Sequence, residues 1–344
     1  MKREMMRGRE GDFVELEDHS IFEVKGLIHP PNRLISLIRY IPDQNGERVR
    51  GSIKFRKVYM LDERYRILKE RYPQLLRFDP VFNRELCEIE DSKVLYHYRP
   101  QDGLIQLLNA DGLNLIEERA IRFIEILSNG SNAPLDRFGI SGSILLGLHL
   151  PSSDIDVIVY GSKYCRAVRN TLIDLFRSSS KVKRYNEESL YRLYRFRSLD
   201  TQMPFDRFLW HERRKTIQGT FEGSDYFIRY VKDWEDVEEE YGSVIYKPIG
   251  YGKIKARVID DSDSLFTPCE YTLSNVEFLE GDKVSNIDKI VSFRGRFCEH
   301  AIVDETVIAQ GEIERVIEKH KDYYQIVLGN RPSDYMITIK SAGG

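Results

Sequence analysis

The chain has 344 residues, of which 41% are apolar and 31% charged; that is too long for one ordinary domain and too apolar for wholesale disorder. Its 52 basic and 55 acidic residues leave a net charge of −3, so no global basic field exists and any affinity for nucleic acid has to come from a local patch. Cys87, Cys165, Cys269 and Cys298 stand alone without a CxxC pair, which argues against a zinc ribbon or a disulfide framework and for buried thiols in a reducing compartment. No apolar run is long enough to span a bilayer. Met1 to Asp12 has no apolar segment of the secretory kind and reads as a frayed end, so a cytoplasmic location is expected.

Taken in chain order, residues 20 to 60 read as strand-rich, with Asn45-Gly46 marking a turn between two β-like runs. Asp62 is expected to cap a helix that Pro73 stops. Residues 80 to 100 carry no clear pattern. Leu113, Ile116, Ala120, Ile121, Ile124 and Leu127 recur at helical spacing after Asn109 or Asp111, and the tract Ser128 to Asn132 is expected to end that helix. A strand from Arg137 to Ile140 follows, then a Gly-Ser turn, a strand from Asp154 to Tyr160, and helices from Lys163 to Arg177 and onward to about Arg197. Pro204 to Ile217 reads as another helix and Tyr226 to Val231 as a strand. The acidic run Asp233 to Glu240 reads as a solvated linker or helix. From Ser243 short β-like runs dominate, with turns at Gly281 and Gly329. The expected domains are an N-terminal α+β region (1–105), a central region (106–240) and a β-rich C-terminal region (241–344).

The chemistry concentrates between Phe138 and Val159. On a strand, residues i and i+2 share a face with Cα atoms about 6.6 Å apart, so Asp154 and Asp156 present two carboxylates side by side. The run Val157 to Tyr160 that follows is apolar on both faces, as in a central strand. Two such acids repel each other unless a cation lies between them, and the hard oxygen set favours Mg²⁺, or Mn²⁺. Gly142 lets the backbone approach a ligand closely, and Ser143 adds a hydroxyl beside the free N–H groups of a helix start. A phosphate seat beside a metal-binding acid pair is the minimum apparatus for phosphoryl or nucleotidyl transfer.

The order Gly142-Ser143, ten spacer residues, then Asp154-Ile155-Asp156-Val157 resembles the signature of the DNA polymerase beta-like nucleotidyltransferase superfamily. The wider chain is similar to an uncharacterised archaeal group of predicted nucleotidyltransferases. The motif covers residues 137 to 160, with looser likeness to about 231. The resemblance implies a central mixed sheet flanked by helices between β-rich N- and C-terminal segments. It implies a nucleoside triphosphate such as ATP as substrate, with Asp154 and Asp156 as metal ligands and Gly142 and Ser143 on the phosphates. It also implies a third carboxylate on a neighbouring strand. Phe227 stands where the family shows that acid, so Asp225 on the same face is the first candidate and Asp206 the rival, with a chain lacking the third acid as the remaining reading.

Between Lys163 and Arg197 ten basic residues face three acids, with Tyr185, Tyr191, Tyr194 and Phe196 interleaved. Cations for phosphates and rings for bases suit RNA or single-stranded DNA; a solvated helix face with inward aromatics is the plainer alternative. His149, between two leucines, reads as packed. Arg294 and Arg296 alternate with aromatics on an expected strand, either as a charged face or as a second RNA contact.

Overall fold

The computed structural model describes residues 6–199 and 201–339. It is a β-rich α/β fold with three sheets and seven α-helices among the described residues. The chain groups into two compact units: residues 1–78, 85–183 and 218–241 form one, and 79–84, 184–217 and 242–344 the other. The three consecutive regions expected from sequence are therefore redrawn. The first two share one unit, because the N-terminal sheet packs into the same core region as the central one. Residues 184–217 leave the central region, because their buried polar groups bond to the C-terminal segment.

In the first unit, β1 (Phe13–Glu15), β2 (Ile21–Val24), β3 (Arg33–Pro42), β4 (Arg48–Arg50) and β5 (Ile53–Lys57) precede helix α1 (Leu61–Arg71). Asp62 lies in the first turn of α1, while Met60 holds the cap position without a side-chain bond. The stretch without a clear pattern supplies β7 (Arg84–Glu90) and β8 (Tyr96–Tyr98), with β6 (Leu76–Asp79) before it and α2 (Pro100–Leu108) starting at its end. These strands make an eight-stranded sheet with the path β4-β5-β3-β2-β1-β8, β7 pairing with β3 and β6.

The end of the chain assigned to fraying is partly built in: Met1 to Met5 lie outside the described residues, but Glu10, Gly11 and Asp12 are buried. Glu10 accepts from Gly26 N at 2.7 Å and pairs with Arg229, and Gly11 O accepts from Ser141 Oγ at 2.7 Å. Such bonds hold a polar segment that composition alone would leave loose.

Helix α3 (Leu115–Ser131) starts at Asn114, not at Asn109 or Asp111. Asn114 Oδ1 accepts from Ile116 N and Glu117 N, and Glu117 returns the bond to Asn114 N, a reciprocal capping box. The helix runs through the Ser-Asn-Gly tract and stops at left-handed Asn132. Gly130 is tolerated there because Thr171 Cγ2 would lie 2.5 Å from any Cβ, so two helices meet at that point. That second helix is α5 (Ser162–Ser178).

The second sheet contains β9 (Phe138–Ile140), β10 (Ile155–Tyr160), β11 (Val182–Lys183), β12 (Gln218–Phe221) and β13 (Ser224–Val231), in the order β11-β12-β13-β10-β9. β10 pairs parallel with β13 and antiparallel with β9. One face packs on α3, where Phe123 lies 4.6 Å from Tyr226 and 4.9 Å from Phe221. Between β9 and β10 sits a single helical turn, α4 (Gly142–Leu145).

The second unit contributes α6 (Glu187–Arg197) and α7 (Phe205–Glu212). The expected helix to Ile217 stops early because Lys215 and Thr216 turn inward, Lys215 Nζ onto Glu212 at 2.7 Å and Thr216 N onto Glu299 at 2.5 Å. The six C-terminal strands are β14 (Val244–Asp260), β15 (Cys269–Gly281), β16 (Lys289–Ser292), β17 (Thr306–Glu318), β18 (Asp322–Val327) and β19 (Tyr335–Ile339). Their order is β14-β15-β16-β18-β17, and β17 returns to pair with β14, closing a barrel; β19 adds to β17. β16 and β18 run parallel, every other pair antiparallel. Arg294 and Arg296 are not on a strand: β16 ends at Ser292, and a 3-10 turn follows at Gly295–Phe297. Arg296 Nη1 donates to Thr201 Oγ1 at 2.7 Å. Gly329 takes a positive φ in a bend, as anticipated, whereas Gly281, also at positive φ, is the last residue of β15 and pairs with Gly252.

Candidate functional site

The site is assembled by the turn between β9 and β10. Ser153 Oγ accepts from Leu150 N at 2.8 Å, a tight loop that delivers Asp154 one residue ahead of β10. Asp156 then lies on the strand, and by its pleat the side chain shares a face with Ile158, Phe227 and Arg229. Ser141 N donates to Asp156 O at 2.8 Å, tying the α4 turn to the strand. Gly142 adopts φ +61°, and a Cβ there would lie 1.9 Å from Asp156 Oδ2. Only glycine satisfies both the backbone conformation and the space.

Gly142 and Asp156 therefore meet at one corner, with Asp154 near enough for its charge to act on Asp156; Ser143 follows in the turn, and neither Asp154 nor Ser143 lines the cavity there. Ser143 is 1% exposed and its Oγ has no hydrogen-bond partner, an orphaned hydroxyl that the turn keeps beneath the surface.

A cavity of about 40 Å³ opens at this corner, lined from one side by Ser141, Gly142, Asp156, Phe227 and Arg229 and from the N-terminal sheet by Glu23, Arg39, Tyr40 and Lys57. A space of this size admits an ion with a few waters. The Asp156 carboxyl is pushed up to about 7, first by burial and then by the adjacent Asp154 charge, with Lys57, Arg229 and Arg39 opposing. The Lys57 ammonium is pulled down to about 8 by burial and then by Arg39, with Asp154 and Asp156 opposing. Burial raises Tyr40 as well.

Glu23 behaves differently. Burial alone would raise its carboxyl, but Lys25, Arg229, Arg39 and Arg64 together hold it well below the usual range. Lys25 Nζ stands 2.9 Å and Arg229 Nη1 3.2 Å from Glu23 Oε1.

The two acids could hold a hard divalent ion as a pair; among the described residues no group of three or more His, Cys, Asp or Glu side chains comes together to hold one. Two carboxylates share one edge, neither forms an ion pair or side-chain hydrogen bond among the described residues, and Asp156 is destabilised as an anion.

Neither candidate for the third acid lines the cavity. Asp225 is the second residue of β13, opposite Thr220, exposed, on the face of Phe227 and Arg229 and one step before the Ile155–Tyr226 pair. It does not line the cavity, whereas Phe227 and Arg229 do. Asp206 lies in the second unit, exposed in the first turn of α7 and 3.8 Å from Arg207. Asn114 Nδ2 donates to His149 Nε2 at 2.8 Å, and the ring neighbours Glu117 at 3.6 Å, a structural contact.

The basic stretch from Lys163 to Arg197 divides between the units after Lys183. Several of its cations are already engaged: Lys181 with Glu222 at 2.8 Å, Arg184 with Lys215 O at 2.7 Å, Arg197 with Glu212 at 2.7 Å. Tyr191, Arg192, Arg195 and Phe196 remain exposed along one side of α6.

Sequence reasoning missed Glu23, Arg39 and Lys57. The available signal was alternation: Arg39 and Lys57 interrupt apolar strands at positions where a solvated face needs no cation of either kind.

An uncharacterized protein of Methanocaldococcus jannaschii, MJ1086, is 28% identical to this chain over 334 residues, spanning 94% of this chain and 96% of its own length. The similarity thus extends over both units. No family model matches the chain, and no solved structure matches it.

Proposed function

We propose that this protein is a divalent-metal-dependent nucleotidyltransferase, its second sheet acting as the central sheet of the DNA polymerase beta-like superfamily. The observation that carries the reading is the Gly142–Asp156 contact, with Asp154 alongside and three cations, Arg39, Lys57 and Arg229, facing the acids. Asp154 and Asp156 would hold Mg²⁺ or Mn²⁺, which when bound supplies positive charge against phosphate oxygens. Lys57 and Arg39 are suited to neutralise the β- and γ-phosphates. Gly142 keeps the turn low enough for a phosphate to approach, and the Ser143 hydroxyl lies beneath it.

In the proposed reaction an acceptor hydroxyl oxygen bonds to the α-phosphorus and the bond to the bridging oxygen breaks. Pyrophosphate leaves with that electron pair. The hydroxyl proton needs a base. Glu23 is unsuited, since four cations hold its proton off; Asp225 remains the candidate. The acceptor class we favour is nucleic acid.

The competing reading is a nucleic-acid-binding protein that keeps this architecture without catalysis, favoured by Phe227 and Arg229 occupying the β13 positions beside Asp156. Incorporation of radiolabelled NTPs into bulk RNA with Mg²⁺ or Mn²⁺ separates the two. Transfer that disappears in Asp154→Ala/Asp156→Ala supports the enzyme; none with any of the four NTPs favours the binding protein.

A further inference from the structure

The barrel of the second unit carries an observation that the transfer chemistry does not use. Numbering its five barrel strands from β14, their order is 1-2-3-5-4 with strand 4 back on strand 1, and strands 3 and 5 are the single parallel pair. The first strand, 17 residues long, pairs with both neighbours and shifts register between Pro248 and Gly250, the bend a small barrel needs to close. This connectivity is that of the oligonucleotide/oligosaccharide-binding barrel, whose ligands lie across strands 2 and 3 between the 1–2 and 4–5 loops. Connectivity alone does not choose a ligand.

Charge chooses it. The 4–5 loop of this barrel is Lys319-His320-Lys321, exposed and held in a tight hairpin by Glu318 N donating to Lys321 O at 2.8 Å. Lys321 Nζ and, from strand 3, Lys289 Nζ lie over the Tyr323 ring, at 4.6 and 5.7 Å. Register sets Lys247, Arg315 and Tyr324 in one row across three strands beside the loop. Arg315 is matched by Asp322 and Lys289 by Glu270. Lys319 and Lys321 have no carboxylate ion-pair partner among the described residues, while Lys247 shares the field of Asp322 with Arg315; one carboxylate there, Glu318, has no cation. The opposite loop, by contrast, carries Asp261 and Asp263. Cations left unpaired next to tyrosines suit a flexible polyanion with stacking bases and are wasted on a neutral sugar.

We propose that the C-terminal barrel binds single-stranded RNA through the β17–β18 loop, with Lys319 and Lys321 on phosphates and Lys247 extending the track. The proposal stands independently of nucleotidyl transfer, so binding is measured without NTP or metal.

The test is fluorescence anisotropy of the full-length chain with a labelled 12-nucleotide oligouridine across a salt series. Lys319→Ala/Lys321→Ala is expected to weaken binding on the order of tenfold at low salt. It should also flatten the slope of log K against log salt by about 1.4, the share of two phosphates on a single strand. Lys253→Ala/Lys255→Ala, on the same barrel but already matched by Glu280 and Glu277, should leave both unchanged. Melting temperatures within about 1 °C of wild type confirm that these surface variants fold. Three results overturn the proposal: a loop variant within twofold of wild type, equal losses in the two pairs, or displacement of the RNA by a neutral oligosaccharide.

Discussion

Gly142 and Asp156 exclude any side chain between them: a Cβ on the glycine would come within 1.9 Å of the carboxylate oxygen. Gly142→Ala therefore has to move the acid or the turn as well as adopt a strained φ of +61°. The variant should lose about 2–3 kcal/mol of stability. Gly112→Ala, where φ is +70° and no atom lies within 4 Å, isolates the backbone share and should lose only about 1 kcal/mol. Urea unfolding of both variants gives the difference, and equal losses would show that the acid is not packed against the turn.

Asp156 makes stability depend on pH in a direction opposite to that of a paired acid. Its folded value, about 7, lies above the ordinary 3.8, so the folded chain holds an extra proton between those limits. Stability from this group is present below about pH 4 and is lost as pH rises through 7. Without divalent metal, Asp156→Asn should therefore exceed wild type in stability at pH 8, by an amount on the order of 2 kcal/mol, and melt at a higher temperature. Added Mg²⁺ should raise the wild type and leave the variant unmoved. Differential scanning calorimetry at pH 5, 6.5 and 8 supplies the comparison.

Lys57 answers in the complementary range. Its folded value of about 8 is below the ordinary 10.5, so the unfolded chain holds more protons between them and stability rises with pH across that window. Below pH 8 the buried ammonium is a burden on the fold. Lys57→Met should be as stable as wild type or slightly more so at pH 7, while NTP binding drops at least tenfold. Isothermal titration with a non-hydrolysable ATP analogue reads the second effect, and unchanged affinity would remove Lys57 from the phosphate site.

Arg229 is the clasp between two buried acids, Glu10 and Glu23. Arg229→Met leaves Glu10 with Lys25, and Glu23 with Lys25 and the more distant Arg64. Breaking a buried pair from one side costs about 3–5 kcal/mol, and Arg229, partly exposed, should fall at the lower end. A loss under about 1 kcal/mol in urea unfolding would mean that the network is solvated.

How far the sequence led depends on the range over which its signals act. The acid pair, the Gly-Ser turn and α3 announced themselves because each is a pattern within one strand, one turn or one helix. Asn114 and Glu117 were also legible as a capping box, but apolar Leu113 extended the apparent helix face past them. Gly130 read as a breaker because nothing local reveals that Thr171 packs against it. The cationic wall of the cavity was hidden for a stronger reason. Arg39 and Lys57 lie about a hundred residues before Asp156, and alternation along a strand tells which face a residue occupies, not which other sheet that face meets. Asp225 shows the limit of face assignment: strand parity places it correctly on the side of Phe227 and Arg229, yet its position along the strand leaves it exposed and outside the cavity lining.

The alternation of the chain between its two units has a consequence for synthesis. Lys215 and Thr216 leave the ribosome some eighty residues ahead of Arg296 and Glu299, the groups that satisfy them. Until the C-terminal strands are translated, that stretch has buried-type donors and nothing to bury them against. A nascent chain halted near residue 240 is thus a client for chaperones, and shortening the protein from its C-terminus would harm a segment more than a hundred residues upstream.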